Sequence, residues 1–327
     1  MQGIRTAAYF PEGELLHTPE NRAALSGRAS LEDAARRGTI LESVCLLCDC
    51  ASMQLTVDLP DGIRGVIPRE EAGFIPPDAP ESCGIKDIAI LTRVGKPVQF
   101  KITGFRENGR GGTFAVCSRR AAQQECWERF LSKLTPGDIL PARVTHLEPF
   151  GAFCDIGCGF VSLLTVDRIS VSRISHPADR FSPGDRIRAV VSSGPENGRI
   201  YLSHRELLGT WEENAALFSA GQTVAGVVRS VESYGVFVEL MPNLAGLAEV
   251  TEGAAPGVTC SVYIKSILPE RMKVKLVLID MGAEAEPVPC RYFTDPSVRR
   301  LDRWRYSPAG CSKVVETVFA EYACLTK

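Results

Sequence analysis

Two clusters of aromatic residues with the same spacing carry the clearest chemical signal in this chain of 327 residues. One is Phe150-Gly-Ala-Phe153, and the other is Tyr234-Gly-Val-Phe237. Two rings held together on a surface form a platform on which unpaired bases can stack, at about 1–3 kcal/mol per base and with little sequence preference. The clusters therefore predict a surface that binds single-stranded nucleic acid.

Positive charge follows the first cluster, and phosphates need nearby cations. Seven arginines in residues 165–205 outnumber four acids: Arg168, Arg173, Arg180, Arg186, Arg188, Arg199 and Arg205. Arg173, Arg188 and Arg199 from this group, together with His176, are predicted to contact the nucleic acid. The position of Arg199 at the start of a predicted strand recurs in the second cluster's segment as Lys273.

The remaining reactive side chains favour neither a metal site nor catalysis. The segment Cys45-Leu-Leu-Cys48-Asp-Cys50 resembles a metal-binding cluster. Its leucines indicate a strand, however, and residues three apart in a strand lie on opposite faces, so Cys45 and Cys48 would not converge. Cys154 and His146 could form a nucleophile and base, yet the strand pattern buries Cys154. No phosphate-binding loop or HExxH motif occurs. We expect no enzyme, no cofactor and no metal.

Composition limits the class of protein. Hydrophobic residues make up 45% and charged residues 23%, with a net charge of −2, so any nucleic-acid surface must be local. No apolar run is long enough for a bilayer helix, and the N-terminus does not resemble a signal peptide. Twelve scattered cysteines predict reduced, largely buried thiols. These features predict a cytoplasmic protein of two or three domains.

An internal repeat positions the aromatic clusters. The segment from Gly137 aligns without a gap with the segment from Gly221, at an offset of 84 residues, and Leu163 then matches Leu247. A weaker third copy begins at Gly38. Each copy consists of short alternating runs broken by Gly, Pro and Asn, which predicts a small antiparallel barrel.

Strand alternation assigns the side chains to two faces. Ala152, Cys154 and Ile156 share one face, and Phe153 and Asp155 share the other. In the second copy, Phe237 and Glu239 likewise share a face, so both phenylalanines are predicted on a charged, solvent-facing side. Gly151 would permit a bulge that brings Phe150 to the side of Phe153.

These residues resemble the RNA-binding domain of ribosomal protein S1, and the whole chain is similar to short S1 homologues of Gram-positive bacteria. The resemblance implies a mainly β fold: tandem five-stranded OB-fold (S1-type) antiparallel barrels joined by short helices, with a small α/β C-terminal tail. The predicted segments are an N-terminal segment (1–37), module 1 (38–119), a helical linker (120–136), module 2 (137–206), a second helical linker (207–220), module 3 (221–280) and a basic, aromatic tail (281–327).

The resemblance also implies where RNA binds. In the family, RNA lies across two aromatic residues on the second strand, a histidine on the third strand and a basic residue on the fifth strand. This implicates Phe150, Phe153 and Arg199 in module 2, and Tyr234, Phe237 and Lys273 in module 3. The histidine position holds Thr165 and Glu249 instead. Module 1 lacks the aromatic pair and has Phe114 where a basic residue is expected. It therefore resembles a protein-docking module.

Three functions follow as hypotheses. The first is binding of single-stranded RNA (mRNA) in translation, with the ribosomal small subunit as a possible partner. The second is a protein-interaction adaptor whose barrels have lost RNA affinity. The third is a metal- or redox-sensing regulator that uses Cys45, Cys48 and Cys50.

Overall fold

Three closed barrels of five strands each dominate the computed structural model, which describes residues 9–80, 82–107 and 112–319. The predicted mainly β fold is confirmed. Expectations for the two chain ends, residues 1–8 and 320–327, lie outside the described residues.

Barrel 1 has the strand order β1-β2-β3-β5-β4. Its strands are β1 (Leu41–Asp49), β2 (Gln54–Asp58), β3 (Arg64–Ile67), β4 (Pro97–Glu107) and β5 (Thr113–Ser118). The third and fifth strands pair in parallel, with Gly65 opposite Ala115. This parallel contact closes the antiparallel sheet and leaves no free edge.

Barrels 2 and 3 repeat this arrangement. Barrel 2 contains β6 (Ile139–Glu148), β7 (Gly151–Asp155), β8 (Val161–Thr165), β9 (Arg186–Glu196) and β10 (Arg199–Ser203). Barrel 3 contains β11 (Thr223–Glu232), β12 (Gly235–Met241), β13 (Leu244–Ala248), β14 (Val258–Leu268) and β15 (Lys273–Glu284). The parallel contacts are Leu163 with Tyr201 and Leu247 with Lys275.

Helices are short and lie outside the barrel walls: α1 (Pro19–Ala24), α2 (Arg28–Arg37), α3 (Asp87–Leu91), α4 (Arg119–Arg129) and α5 (Trp211–Ala215). Helix α4 lies in the region of the first predicted linker, and the amide of Ala121 in its first turn donates to the Ser118 hydroxyl at 2.8 Å. In the region of the second predicted linker, Gly209 adopts φ +83° and α5 begins only after the Thr210 cap. Among the described residues, no helix is long and apolar enough to cross a membrane.

The tail departs from its predicted strand and helix. Its β16 (Arg303–Arg305) pairs antiparallel with β17 (Glu316–Val318), where a helix was predicted. β-Branched residues at 314, 315, 317 and 318 favour the extended form. Trp304 and Tyr306 in the tail pack into the core of barrel 3.

The strand faces are partly as predicted. Ala152, Cys154 and Ile156 are buried. The expectation that Asp155 and Glu239 face solvent is wrong, since they are 3% and 2% exposed. Asp155 accepts amide hydrogens from the turn that follows it, and Glu239 accepts from buried arginines. Each carboxylate is buried because hydrogen bonds replace its hydration.

Two compact units make up the chain. One contains barrel 1 with residues 155–161 and 194–200, and the other contains the rest of barrel 2, barrel 3 and the tail. Both aromatic clusters belong to this second unit.

Candidate nucleic-acid interface

Barrel 2 presents two phenylalanine rings on its surface. Phe150 lies in the turn between β6 and β7, and Phe153 lies on β7. Their ring centroids are 5.9 Å apart with the planes at 89°, and Phe150 is 54% exposed. A turn residue is not bound by strand alternation, so Phe150 reaches the side of Phe153 despite a spacing of three.

Barrel 3 repeats the same pair at the matched positions. Tyr234 lies in the turn before β12 and is 67% exposed. Its ring is 6.1 Å from that of Phe237, again at 89°. Two edge-to-face pairs of one geometry therefore occupy equivalent places on two barrels.

The glycine inside each cluster is needed for a close approach. A Cβ atom at Gly151 would lie 2.5 Å from the carbonyl oxygen of Leu164, and one at Gly235 would lie 2.7 Å from that of Ala248. In barrel 3, Gly235 pairs regularly with Glu232, and the register of β11 against β12 shifts between Val228 and Ser230. The bulge predicted at Gly151 in barrel 2 stays a prediction. The neighbouring strand thus passes directly over the glycine.

His146 adds a third ring that the sequence interpretation missed. It lies on β6, stacks on Phe153 with centroids 6.2 Å apart and planes at 21°, and is mostly exposed. Its Nε2 lies 2.6 Å from the Glu148 carboxylate, which holds the ring in place. Barrel 3 has Ser230 at the matched position. The hypothesis that His146 serves Cys154 as a base has no geometric support, because Cys154 is fully buried and His146 faces outward.

The predicted cations fall into different environments. Arg173 is exposed and makes no hydrogen bond or ion pair with another described residue. Arg199 and Lys273 are exposed at the starts of β10 and β15. His176 is half-buried, and its Nδ1 accepts the amide hydrogen of Ala178 at 3.1 Å, so one ring nitrogen is used within the chain.

Arg188 makes contacts within the chain. Its guanidinium donates to the carbonyl oxygens of Thr294, Asp295 and Val298 at 2.9–3.1 Å. It also lies 5.9 Å from the centroid of the Tyr292 ring. These contacts attach the tail to barrel 2 and engage the guanidinium within the chain.

Barrel 1 has no such aromatic pair in its described part. Thr56 stands at the position of Phe153 and is 7% exposed. Phe114 is half-buried and pairs with Arg64 across the parallel contact of β3 and β5.

The cysteines of barrel 1 do not converge. Cys45 is buried, Cys48 is half-buried and Cys50 is exposed, and burial raises the pKa of the Cys45 thiol to about 11. In residues 9–80, 82–107 and 112–319, no group of three or more His, Cys, Asp or Glu side chains could hold a metal ion. Seven of the described cysteines are buried, namely Cys45, Cys117, Cys126, Cys154, Cys158, Cys260 and Cys311.

The sequence is similar to a family model and to several known proteins. A family model described as the S1 RNA binding domain matches residues 133–205, which overlap predicted module 2. Small ribosomal subunit protein bS1 of Leuconostoc lactis is 37% identical over 143 residues, covering 42% of this chain and 33% of that protein. The small ribosomal subunit protein bS1 homolog of Bacillus subtilis (strain 168) is 28% identical over 222 residues, covering 66% of this chain and 56% of that protein.

Longer matches are weaker in identity. Small ribosomal subunit protein bS1 of Staphylococcus aureus (strain COL) is 29% identical over 293 residues, covering 84% of this chain and 72% of that protein. The chain spans 33% of the length of the Leuconostoc lactis protein and 56% of the length of the Bacillus subtilis protein. A solved multidomain protein with nucleic acid binding domains from Streptococcus pneumoniae matches 74% of this chain at 14% identity, with a TM-score of 0.24, too low to carry an argument.

Proposed function

We propose that the chain is an S1-domain protein related to bS1 and that it binds single-stranded RNA. The observation that carries the proposal is the exposed edge-to-face aromatic pair in the same place on barrels 2 and 3. Bases stack on these rings, while Arg173, Arg199 and Lys273 contact phosphates. His176 can contribute through its remaining ring nitrogen.

The cellular role proposed here is in translation, with messenger RNA as the ligand and the small ribosomal subunit as a partner. The names of the relatives support this role, since they are small-subunit ribosomal proteins. It implies a cytoplasmic, ribosome-associated location. Barrel 1, with buried Thr56 in place of a ring, is proposed to dock onto protein instead of RNA.

The proposal is tested by fluorescence anisotropy of a labelled single-stranded RNA over a salt series, using the full chain. Phe150→Ala/Phe153→Ala and Tyr234→Ala/Phe237→Ala are expected to weaken binding, each by about 10-fold or more, because each removes stacking surface. Val314→Ala is the matched control, since Val314 is also 54% exposed but lies in the tail. It should bind as wild type does.

Two results would contradict the proposal. A folded wild-type protein that does not bind RNA at low salt would exclude an RNA-binding role. Binding that both aromatic double variants retain in full would exclude the stacking surface. An RNA-independent protein partner, retained by those variants, would then support the adaptor hypothesis.

A further inference from the structure

A row of outward-facing side chains continues each aromatic pair across the next two strands. In barrel 3, Phe237 on β12 is the strand partner of Leu247 on β13, and Leu247 is the partner of Lys275 on β15. Partners in adjacent strands lie about 4.8 Å apart and share a face. The row therefore extends the aromatic surface by about 10 Å and ends at an exposed lysine.

Barrel 2 contains the same row with a different last residue. Leu163, which matches Leu247, is the parallel partner of Tyr201 on β10. A methyl carbon of Leu163 lies 3.0 Å from the place where a Cβ of Gly151 would stand, so Leu163 adjoins the β7 strand that carries Phe153. Tyr201 is 38% exposed. Tyr201 and Lys275 thus occupy equivalent positions at the end of equivalent rows.

The two residues offer different chemistry to the same ligand. A tyrosine ring stacks on a base and carries no charge. A lysine neutralises a phosphate and releases a counterion. On the outward face of β15, Lys273 precedes Lys275 and Val277 follows it, so barrel 3 presents two cations in succession. On the outward face of β10, barrel 2 presents Arg199 and then the ring of Tyr201.

We propose that this position determines how each barrel holds RNA: Tyr201 stacks a further base on barrel 2, whereas Lys275 contacts a phosphate on barrel 3. The inference rests on the proposed RNA-binding function. Barrel 2 then holds the strand mainly through its bases, and barrel 3 holds it more through its backbone.

Anisotropy of the full chain with a labelled uridine oligomer, measured over a salt series, separates the two contacts. Tyr201→Ala should weaken binding about 5- to 150-fold and leave the slope of log affinity against log salt unchanged. Lys275→Ala should reduce the magnitude of that slope by about 0.7, the value for one phosphate of a single strand.

Exchanging the two residues gives the sharpest test. Tyr201→Lys should increase the magnitude of the salt slope by about 0.7, and Lys275→Tyr should decrease it by the same amount. Tyr263→Ala and Lys133→Ala serve as controls, because Tyr263 is 39% exposed but lies outside the row, and Lys133 is exposed in the linker after α4. Both controls should bind as wild type does.

The outcomes distinguish this inference from the proposed function. If Tyr201→Ala and Lys275→Ala bind with wild-type affinity and slope while Phe153→Ala loses affinity, the inference is wrong and the RNA-binding function stands. If folded wild type fails to bind the oligomer at low salt, the proposed function itself fails. All the substituted side chains are on the surface, and circular dichroism checks that each variant is folded.

Discussion

The guanidinium of Arg180 donates a hydrogen bond of 2.5 Å to the carboxylate of Glu239, and both side chains are buried. Arg180 follows β8 of barrel 2, whereas Glu239 lies on β12 of barrel 3. Arg229 donates to the same carboxylate at 2.8 Å and pairs with Asp179 at 3.4 Å. A buried ion cluster thus joins barrels 2 and 3, so their aromatic pairs belong to one unit. This arrangement fits the proposal that a single strand is bound at two places.

Removing Glu239 should destabilise this unit strongly. Glu239→Ala leaves the buried charge of Arg180 without its carboxylate partner and Arg229 with Asp179 alone, which costs about 3–5 kcal/mol of unfolding free energy. Urea unfolding can be followed by tryptophan fluorescence, because Trp211 and Trp304 lie in the core of barrel 3. Trp127 lies on α4 in the other unit, so the substitution Trp127→Phe removes its signal and leaves fluorescence that reports on this unit.

The exposed pair of Arg303 and Glu316 supplies the control for that measurement. Glu316→Ala should change the unfolding free energy by less than about 1 kcal/mol, since surface ion pairs contribute little. Equal effects of the two substitutions would show that the buried cluster does not join the barrels.

The stability of the second unit should fall in mild acid because of His204. This side chain is fully buried, its Nε2 is 3.0 Å from the Tyr292 hydroxyl, and burial lowers its pKa to about 4. The unfolded chain binds the proton near pH 6.5 and the folded chain only near pH 4, so unfolding takes up a proton between these values. His204 therefore contributes stability that is present above pH 6.5 and is lost as the pH falls toward 4.

A pH series of urea unfolding curves checks this linkage. Between pH 7 and pH 4, wild type should lose about 3 kcal/mol more than His204→Gln does, because the variant has no such proton uptake. Parallel pH profiles for the two proteins would contradict the assignment.

Gly151 should tolerate no larger residue. A Cβ atom there would meet the backbone oxygen of Leu164, so Gly151→Ala is expected to destabilise the protein by about 1–3 kcal/mol and to weaken RNA binding by displacing Phe150. Gly104→Ala is the control, as a Cβ at Gly104 has nothing within 4 Å. If Gly151→Ala matched wild type in both stability and affinity, the close approach would not be what requires glycine.

Arg188 should act on the tail and not on RNA. Arg188→Ala removes three hydrogen bonds to tail carbonyl groups, so trypsin is expected to cleave faster after Arg291 and Arg299. The salt dependence of RNA binding should stay the same. A salt slope reduced by about 0.7 would instead identify Arg188 as a phosphate contact.

Local patterns in the sequence predicted much of the site. The gapless repeat, the alternation of Ala152, Phe153 and Cys154, and the ring spacing around glycine were enough to predict the barrels and both aromatic pairs. These features depend on strand geometry and on neighbours close in the chain, which a periodic pattern records directly.

Long-range partners could not be predicted in the same way. The burial of Glu239 depends on Arg180, which lies 59 residues earlier, and the tail contacts of Arg188 depend on acceptors that lie more than 100 residues later. Tyr201 could have been found from alternation, since it lies two residues after Arg199 on the same strand. His146 was missed because it was weighed only as a base, although its strand passes beside Phe153.

Base stacking is the central claim, and it is tested most directly by comparing two RNA strands of equal length, one with bases and one abasic. Wild type should bind the strand with bases at least about 10-fold more tightly, because phosphates alone cannot use the rings. The variant Phe150→Ala/Phe153→Ala/Tyr234→Ala/Phe237→Ala should bind both strands equally and weakly. A wild-type protein without preference, or a variant that keeps the preference, would contradict the account.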